Sequence, residues 1–297
     1  MEEYIMGMAI NNNLMANNAY RNLSNTQNEV SSSMEKLSSG LRINRAADDA
    51  AGLAISEGLK SQVSGSAVAA RNAQDGISVI QTTEGALTEV TSILQRMRDL
   101  AVQGSSDTNN ADARTAIKTE GDSLGKELDR LTNGTNFNGI DLLKGTSGNG
   151  VQATQVTTAG SLDIQVGTGG TANDKISVKV GDVATAVGAL SSSTTAGDFL
   201  VDTSADAQTT ITKIDTAIKN ISTQRAGLGA TQNRLQHAIN TLNVSGENLQ
   251  AAQSRITDTD MAQEMVKFTK ANILQQAGTA MLAQANQSGQ GVLKLLG

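Results

Sequence analysis

Apolar residues alternating three and four positions apart run through both ends of the chain. Towards the C-terminus they are Ile211, Ile214, Ile218, Ile221, Arg225, Leu228, Gln232, Leu235, Ile239, Leu242, Gly246, Leu249, Gln253 and Ile256, with no slip in register. A 3.5-residue repeat held this long predicts a coiled-coil seam rather than an ordinary globular helix. At 1.5 Å per residue such a helix is on the order of 70 Å long. The N-terminal part repeats the pattern at Ala16, Tyr20, Leu23, Gln27, Val30, Met34, Leu37 and Leu41. A third segment places Ile77, Ile80, Leu87, Leu94, Met97 and Ala101 at helical spacing, and a fourth Ile117, Leu124, Leu128 and Leu131. Asn133 and Gly134 then punctuate a turn. Polar residues in the seams (Gln27, Arg225, Gln232, Gln253) weaken them and can fix register.

Between these helical ends, roughly residues 134–205 are rich in Gly, Ser and Thr. Two short runs alternate apolar with polar: Leu162, Ile164, Val166 and then Ile176, Val178, Val180. With the turn-rich stretch 167–173 between them they predict a β-hairpin over 162–180. A lone hairpin is marginal in water, so this one is expected to lie on a helix surface. Residues 185–206 are expected to form an exposed loop. After Ile256 the run Thr257-Asp258-Thr259-Asp260 breaks the heptad and offers N-caps to a new helix. That helix carries Met261, Met265, Phe268, Ile273, Leu274, Ala277, Met281 and Leu282, and a Gly/Ser stretch then precedes an apolar tip containing Leu293. An apolar terminus needs a partner, since termini are normally solvated.

The predicted fold is mainly α, with long antiparallel coiled-coil helices from both chain ends and a small β-hairpin in the middle segment. Composition agrees. Aromatic residues are 2% of the 297, with no Trp, so burial must come from small and aliphatic side chains. Without Pro nothing forbids long unkinked helices. Without Cys there is no disulfide and no thiolate metal site. The net charge of -6 argues against a nucleic-acid surface. No run of about 18 apolar residues is present to span a membrane. The N-terminus is acidic where a secretory signal is basic, so an extracellular location would require export without a cleaved signal peptide.

One pair of helices leaves much of its apolar surface wet, and exposed stripes of this size mark an interaction surface. Two readings stand at this point. The stripes close an intramolecular bundle, or they pack against further copies, in which case a non-closing contact generates a helical filament.

Three motifs bear on that choice. The run Met34-Glu35-Lys36-Leu37-Ser38-Ser39-Gly40-Leu41-Arg42-Ile43-Asn44-Arg45-Ala46-Ala47-Asp48-Asp49-Ala50-Ala51-Gly52-Leu53-Ala54-Ile55 resembles the N-terminal signature of bacterial flagellins. Ile273-Leu274-Gln275-Gln276-Ala277-Gly278 through Leu282-Ala283-Gln284-Ala285-Asn286-Gln287 resembles their C-terminal signature, and Leu94 to Gln103 is similar to a third family stretch. The resemblance implies a non-enzymatic structural subunit that polymerises into the flagellar filament for motility. It implies an inner filament-core domain of paired terminal helices, 1–47 with 258–297, and an outer helical domain with the hairpin, 48–257. Core packing is expected at Leu23, Val30, Met34, Leu37, Leu41, Met265, Phe268, Ile273, Leu274, Met281, Leu282 and Leu293. Self-association, filament cap and hook-junction proteins, and an export chaperone on the C-terminal helix are the implied partners, with export through the flagellar secretion channel. The family is also recognised by a vertebrate Toll-like receptor, and its contacts match Arg96, Leu100 and Glu120 here. Arg96 and Leu100, four apart, would share a helix face as a bidentate cation and an apolar plug. Family members begin near the equivalent of Met6 or Met8, so the first five residues read as extra.

No residue set points to catalysis, a cofactor or a metal. His237, the only histidine, falls inside the long heptad helix. Gly167-Thr168-Gly169-Gly170 lacks the ending and the following helix of a phosphate loop and reads as the hairpin turn. Asp48 and Asp49 are expected to pair with Arg42 or Arg45 at a helix junction rather than act as acid and base. The rivals are a hook–filament junction protein of the same superfamily and a cytoplasmic coiled-coil module.

Overall fold

A computed structural model describes residues 13–144, 161–179, 181, 183–188, 190 and 199–296, with side chains through residue 287. The expected extra residues 1–5, the middle of the expected loop at 191–198 and the side chain of Leu293 lie outside the described residues. The elements in order are α1 (Leu14–Ser39), α2 (Ala50–Gly104), α3 (Ala111–Gly134), β1 (Asn136–Phe137), β2 (Ile140–Asp141), β3 (Ser161–Gln165), β4 (Lys175–Lys179), α4 (Val183–Gly188), α5 (Ser204–Thr257) and α6 (Met261–Leu296). The chain divides into two compact units, Met1–Ser61 with Asn248–Gly297, and Gln62–Glu247. These limits lie inside the long helices, whereas the sequence reading put them at the helix junctions.

In the unit of residues 62–247, α2 and α5 meet along the predicted heptads. On α5 Ile214, Ile221, Leu228 and Leu235 are buried, and the intervening Ile211, Ile218, Arg225, Gln232 and Ile239 are half-buried. On α2 the buried partners are Ile77, Ile80, Leu87, Val90, Leu94, Met97 and Ala101. The α3 helix adds Ile117 and Leu128, and it begins on Asn110, whose side chain accepts the Ala113 N–H.

The hairpin β3–β4 is antiparallel, with Leu162 opposite Val178 and Ile164 opposite Ile176. Ile164, Ile176 and Val178 join the core, so the hairpin does lie on a helical surface. Its turn is held by Asp174, whose carboxylate accepts the Thr171 backbone N–H at 3.0 Å and the Thr171 hydroxyl at 2.6 Å. The Gly-rich stretch is thus a turn, as read from the sequence.

Two features depart from the sequence reading. A second hairpin, β1–β2, turns on Asn138 (φ 50) and Gly139 (φ 78), the left-handed pair that a two-residue turn requires. The loop expected at 185–206 is neither wholly exposed nor wholly loop. Val183 and Val187 of α4 are buried, as are Leu190, Phe199 and Val201, and α5 begins at Ser204. Phe199 lies on Gly121 of α3, where an added Cβ would meet its ring, and Val201 sits 3.0 Å from the Cβ position of Gly104. Phe199 and Val201 are each buried against a glycine of a neighbouring helix.

Candidate functional site

The terminal helices form an antiparallel pair. Asn13 caps α1 by accepting the Ala16 N–H, and its amide donates to the Ala285 carbonyl at 2.9 Å. Leu23 meets Gly278, where an added Cβ would stand 3.3 Å from the leucine Cδ1. Ser33 donates to Glu264 Oε1 at 2.6 Å. Leu41 and Asp258 close the pair as an antiparallel bridge. The register therefore holds from Asn13 to Leu41, with small side chains letting the two backbones approach.

The seam differs from the predicted one by half its positions. On α1 the covered residues are Ala16, Ala19, Leu23, Thr26, Val30, Ser33 and Leu37. Tyr20, Gln27 and Met34, predicted in the seam, are exposed, with Tyr20 at 65% and Met34 at 58%. Leu41 is half-buried at the bridge, beyond the helix end. On α6 the covered residues are Glu264, Phe268, Ala271, Gln275, Gly278, Leu282 and Ala285. Met265, Val266, Ile273, Leu274 and Met281 face away and are 46 to 68% exposed. Small residues alternate with Leu23, Val30, Leu37, Phe268 and Leu282 in the seam, while other large apolar residues stay exposed.

The exposed set is coherent. Met265, Val266, Thr269, Lys270, Ile273 and Leu274 line one shallow, almost wholly apolar groove on the outer side of α6. Leu14, Met15, Tyr20 and Met34 add apolar surface on α1. An isolated chain gains nothing by exposing so many large apolar residues on two adjacent helices; such surface marks an interaction site.

The junction below the pair is built from backbone bonds. Gly40 ends α1 in the left-handed conformation (φ 73), and its N–H returns to the Lys36 carbonyl. Arg42 donates from its backbone to the Thr257 carbonyl at 2.6 Å and from its guanidinium to the Ile256 carbonyl at 2.7 Å. Asp260 Oδ1 caps α6 by accepting from Ala262 and Gln263. Asp48 accepts the N–H groups of Asn44 and Arg45, and these bonds hold its carboxyl below the usual range. Asp49 caps α2 by accepting the Gly52 N–H at 2.8 Å. The expected pairing of Asp48 and Asp49 with arginine side chains gives way to these backbone donors, while Arg45 takes Glu35 at 2.9 Å.

Among the described residues Glu264 is the one buried carboxylate, at 5% exposure. The Ser33 hydroxyl, and then Lys267 and Lys36, hold its carboxyl below the ordinary value against the opposing effect of burial.

Of the three residues matched to receptor recognition, Arg96 and Glu120 lie together, joined by bonds of 2.9 and 2.6 Å from α2 to α3, and both are about half-exposed. Leu100 is 2% exposed and belongs to the core, so the expected apolar plug is not offered at the surface. His237 is exposed on α5. Among the described residues no helix is long and apolar enough to cross a membrane.

Comparison with known proteins identifies the family. The bacterial flagellin N-terminal helical region matches residues 10–148, and the bacterial flagellin C-terminal helical region matches residues 211–296. The chain is 48% identical to a flagellin of Halalkalibacterium halodurans over 289 residues, covering 97% of this chain and 100% of the relative. It is 47% identical to a flagellin of Bacillus subtilis over 310 residues, covering 97% and 100%. A solved structure of a putative flagellar hook-associated protein from Vibrio parahaemolyticus shares the fold, at 15% identity and a TM-score of 0.53, covering 71% of this chain and 100% of that one. Matches at both chain ends and over the full length of the relatives favour the filament subunit over the hook junction and over a cytoplasmic coiled coil. The chain belongs to the bacterial flagellins, the structural subunits that polymerise into the flagellar filament.

Proposed function

We propose that the terminal pair builds the filament core through its outer face. Phe268, Leu282, Leu23, Val30 and Leu37 hold α1 against α6. Met265, Ile273, Leu274, Met281 and Met34 pack against neighbouring subunits, and Leu41 and Leu293 extend that role to the two ends of the pair. The observation that supports this reading is the row of large apolar side chains left uncovered on α6, from Met265 to Met281, at 46 to 68% exposure. The filament is an extracellular structure, and the proposal extends to its delivery. The subunit passes unfolded through the flagellar secretion channel, an export chaperone covers α6 beforehand, and cap and hook-junction proteins meet the same surface during growth.

Substituting Ile273→Lys on α6 tests the assignment. Seeded growth on filament fragments, read by sedimentation and electron microscopy, is expected to fall at least tenfold while the melting of the monomer stays unchanged. Normal filament growth by this variant would remove the outer face from the reading.

The second element concerns host recognition. Arg96 and Glu120 form an exposed pair that a Toll-like flagellin receptor could engage, and Leu100 supports it from beneath by fixing the α2 backbone. Monomeric Arg96→Ala and Glu120→Ala variants are expected to signal more weakly in receptor-bearing reporter cells. Undiminished signalling by both would refute the assignment.

A further inference from the structure

The apolar packing of the terminal pair specifies its register weakly. One row of its seam repeats small residues at heptad spacing, Ala19, Thr26 and Ser33 on α1 and Ala271, Gly278 and Ala285 on α6. A slip of one heptad, about 10 Å along the axis, would therefore place similar side chains opposite one another. One buried pair breaks the repetition: Ser33 Oγ donates to Glu264 Oε1 at 2.6 Å, with Lys267 on the other carboxylate oxygen at 3.3 Å. We infer that Ser33 and Glu264 are positioning residues that select the register of α1 against α6 and so align the two halves of the assembly face.

The charges on α1 explain the selection. In the observed register Glu264 lies near Lys36, three residues beyond Ser33, and that lysine favours the ionised carboxylate. A slip of one heptad in one direction puts Glu264 opposite Thr26. A hydroxyl is still available there, but the residue three further on is Glu29, so attraction becomes repulsion. A slip in the other direction puts the carboxylate opposite Gly40, which has no side-chain donor, and a buried carboxylate without a partner is strongly disfavoured. Polar groups at single seam positions fix register in coiled coils by this logic. The Leu41–Asp258 bridge and the Asn13–Ala285 bond tie the two ends of the pair; Ser33 and Glu264 act between them, two turns from the bridge.

Register matters because the exposed residues belong to both helices. Tyr20 and Met34 lie on α1 and Ile273, Leu274 and Met281 on α6, so the offset of the helices sets the spacing of these exposed side chains along the pair. This step rests on the outer face being the assembly surface; the register itself can be read without it.

The chain has no cysteine, so introduced pairs report without interference. A Leu23→Cys/Gly278→Cys chain reports the observed register, and Ala16→Cys/Gly278→Cys and Val30→Cys/Gly278→Cys report the two slipped ones. Oxidation of the full-length chain, free and in filaments, is read by gel mobility and peptide mapping. With Glu264 present only the first pair is expected to cross-link efficiently. With Glu264→Leu the slipped pairs are expected to rise at least fivefold, and filament yield to fall. Glu264→Gln still accepts from Ser33 but loses the charge that Lys36 favours and Glu29 opposes, so it is expected to raise the Ala16→Cys/Gly278→Cys cross-link while the Val30→Cys/Gly278→Cys cross-link stays rare. A native cross-linking pattern in Glu264→Leu would overturn the inference, whatever the filament yield. So would a rise in the Val30→Cys/Gly278→Cys cross-link as large in Glu264→Gln as in Glu264→Leu. Loss of filaments in Ile273→Lys without a change in cross-linking would leave the register role standing and localise that loss to the outer face.

Discussion

The two units handle apolar surface in opposite ways. The unit of residues 62–247 buries an extended cluster, with Ile80, Val90, Leu94, Met97, Leu128, Ile214 and Leu235 all fully covered. Among the described residues of the terminal unit, the buried hydrophobic residues are Ile43, Ala271 and Ala285. Of the fourteen large exposed hydrophobics among the described residues, eleven lie in the terminal unit and Val68, Val102 and Val244 in the other. One unit is stabilised by its own interior. The other leaves many of its large side chains exposed, and under the proposed role it gains further burial on assembly.

The sharpest way to break that contrast is to remove α6. Deleting residues 261–297 is expected to abolish filament formation and to leave the thermal transition of the 62–247 unit in place, by calorimetry and circular dichroism. Loss of both would show that the central unit cannot stand without the ends. Next in size, Leu94→Ala should cost about 2–5 kcal/mol in denaturant unfolding of the central unit, because it opens a cavity in a closed core. An equivalent truncation at Ile273, 61% exposed, should change monomer stability by less than about 0.5 kcal/mol. Gly121→Ala places a methyl group against the Phe199 ring and should cost about 1–3 kcal/mol, measured the same way. A neutral result there would mean that the segment carrying Phe199 lifts away easily.

Acid sharpens the comparison more gently. Asp48 and Glu264 are both held below their ordinary values of 3.8 and 4.5, by backbone N–H groups and by Ser33 respectively. A carboxylate depressed in the folded state contributes stability that is complete above its unfolded value and is lost as pH falls through its folded value. The terminal pair should therefore loosen progressively below about pH 4.5, seen as faster amide exchange in α1 and α6. Asp174 and Glu127 of the central unit are depressed too, by Thr171 and Arg130, but there the apolar core remains. Protection lost first in the central unit would contradict this order. The smallest effect is expected for Arg96→Ala: the exposed pair with Glu120 should contribute no more than about 1 kcal/mol to stability.

What was legible in the sequence follows from side-chain size. The α5 heptad was read correctly from Ile211 to Ile256 because large aliphatics occupied it. On α1, Ala16, Leu23, Val30 and Leu37 were found, but Tyr20, Gln27 and Met34 were preferred to Ala19, Thr26 and Ser33. A pattern weighted by hydrophobicity follows the larger residue, and a tightly packed pair wants the smaller. On α6 the sequence named Met265, Ile273, Leu274 and Met281 as filament-packing residues but did not single out Ala271, Gly278 and Ala285, which the α1–α6 seam uses. The Asn138-Gly139 signal for a second hairpin was present and passed over. Phe199 and Val201 were missed because their burial depends on Gly121 and Gly104, distant in the chain. Leu100 was matched to a receptor contact by resemblance to the family, which does not show which side of α2 meets the core in this chain.

The antiparallel terminal pair also has a temporal meaning. Ser33 and Glu264 are 231 residues apart. At a translation rate of about 5–20 residues per second, the first helix waits on the order of 10–50 s for its mate to leave the ribosome. During that interval the leading segment has nothing within its own molecule to clasp. A newborn polypeptide of this design stays open at its front end by the order of its manufacture, before any other factor acts on it.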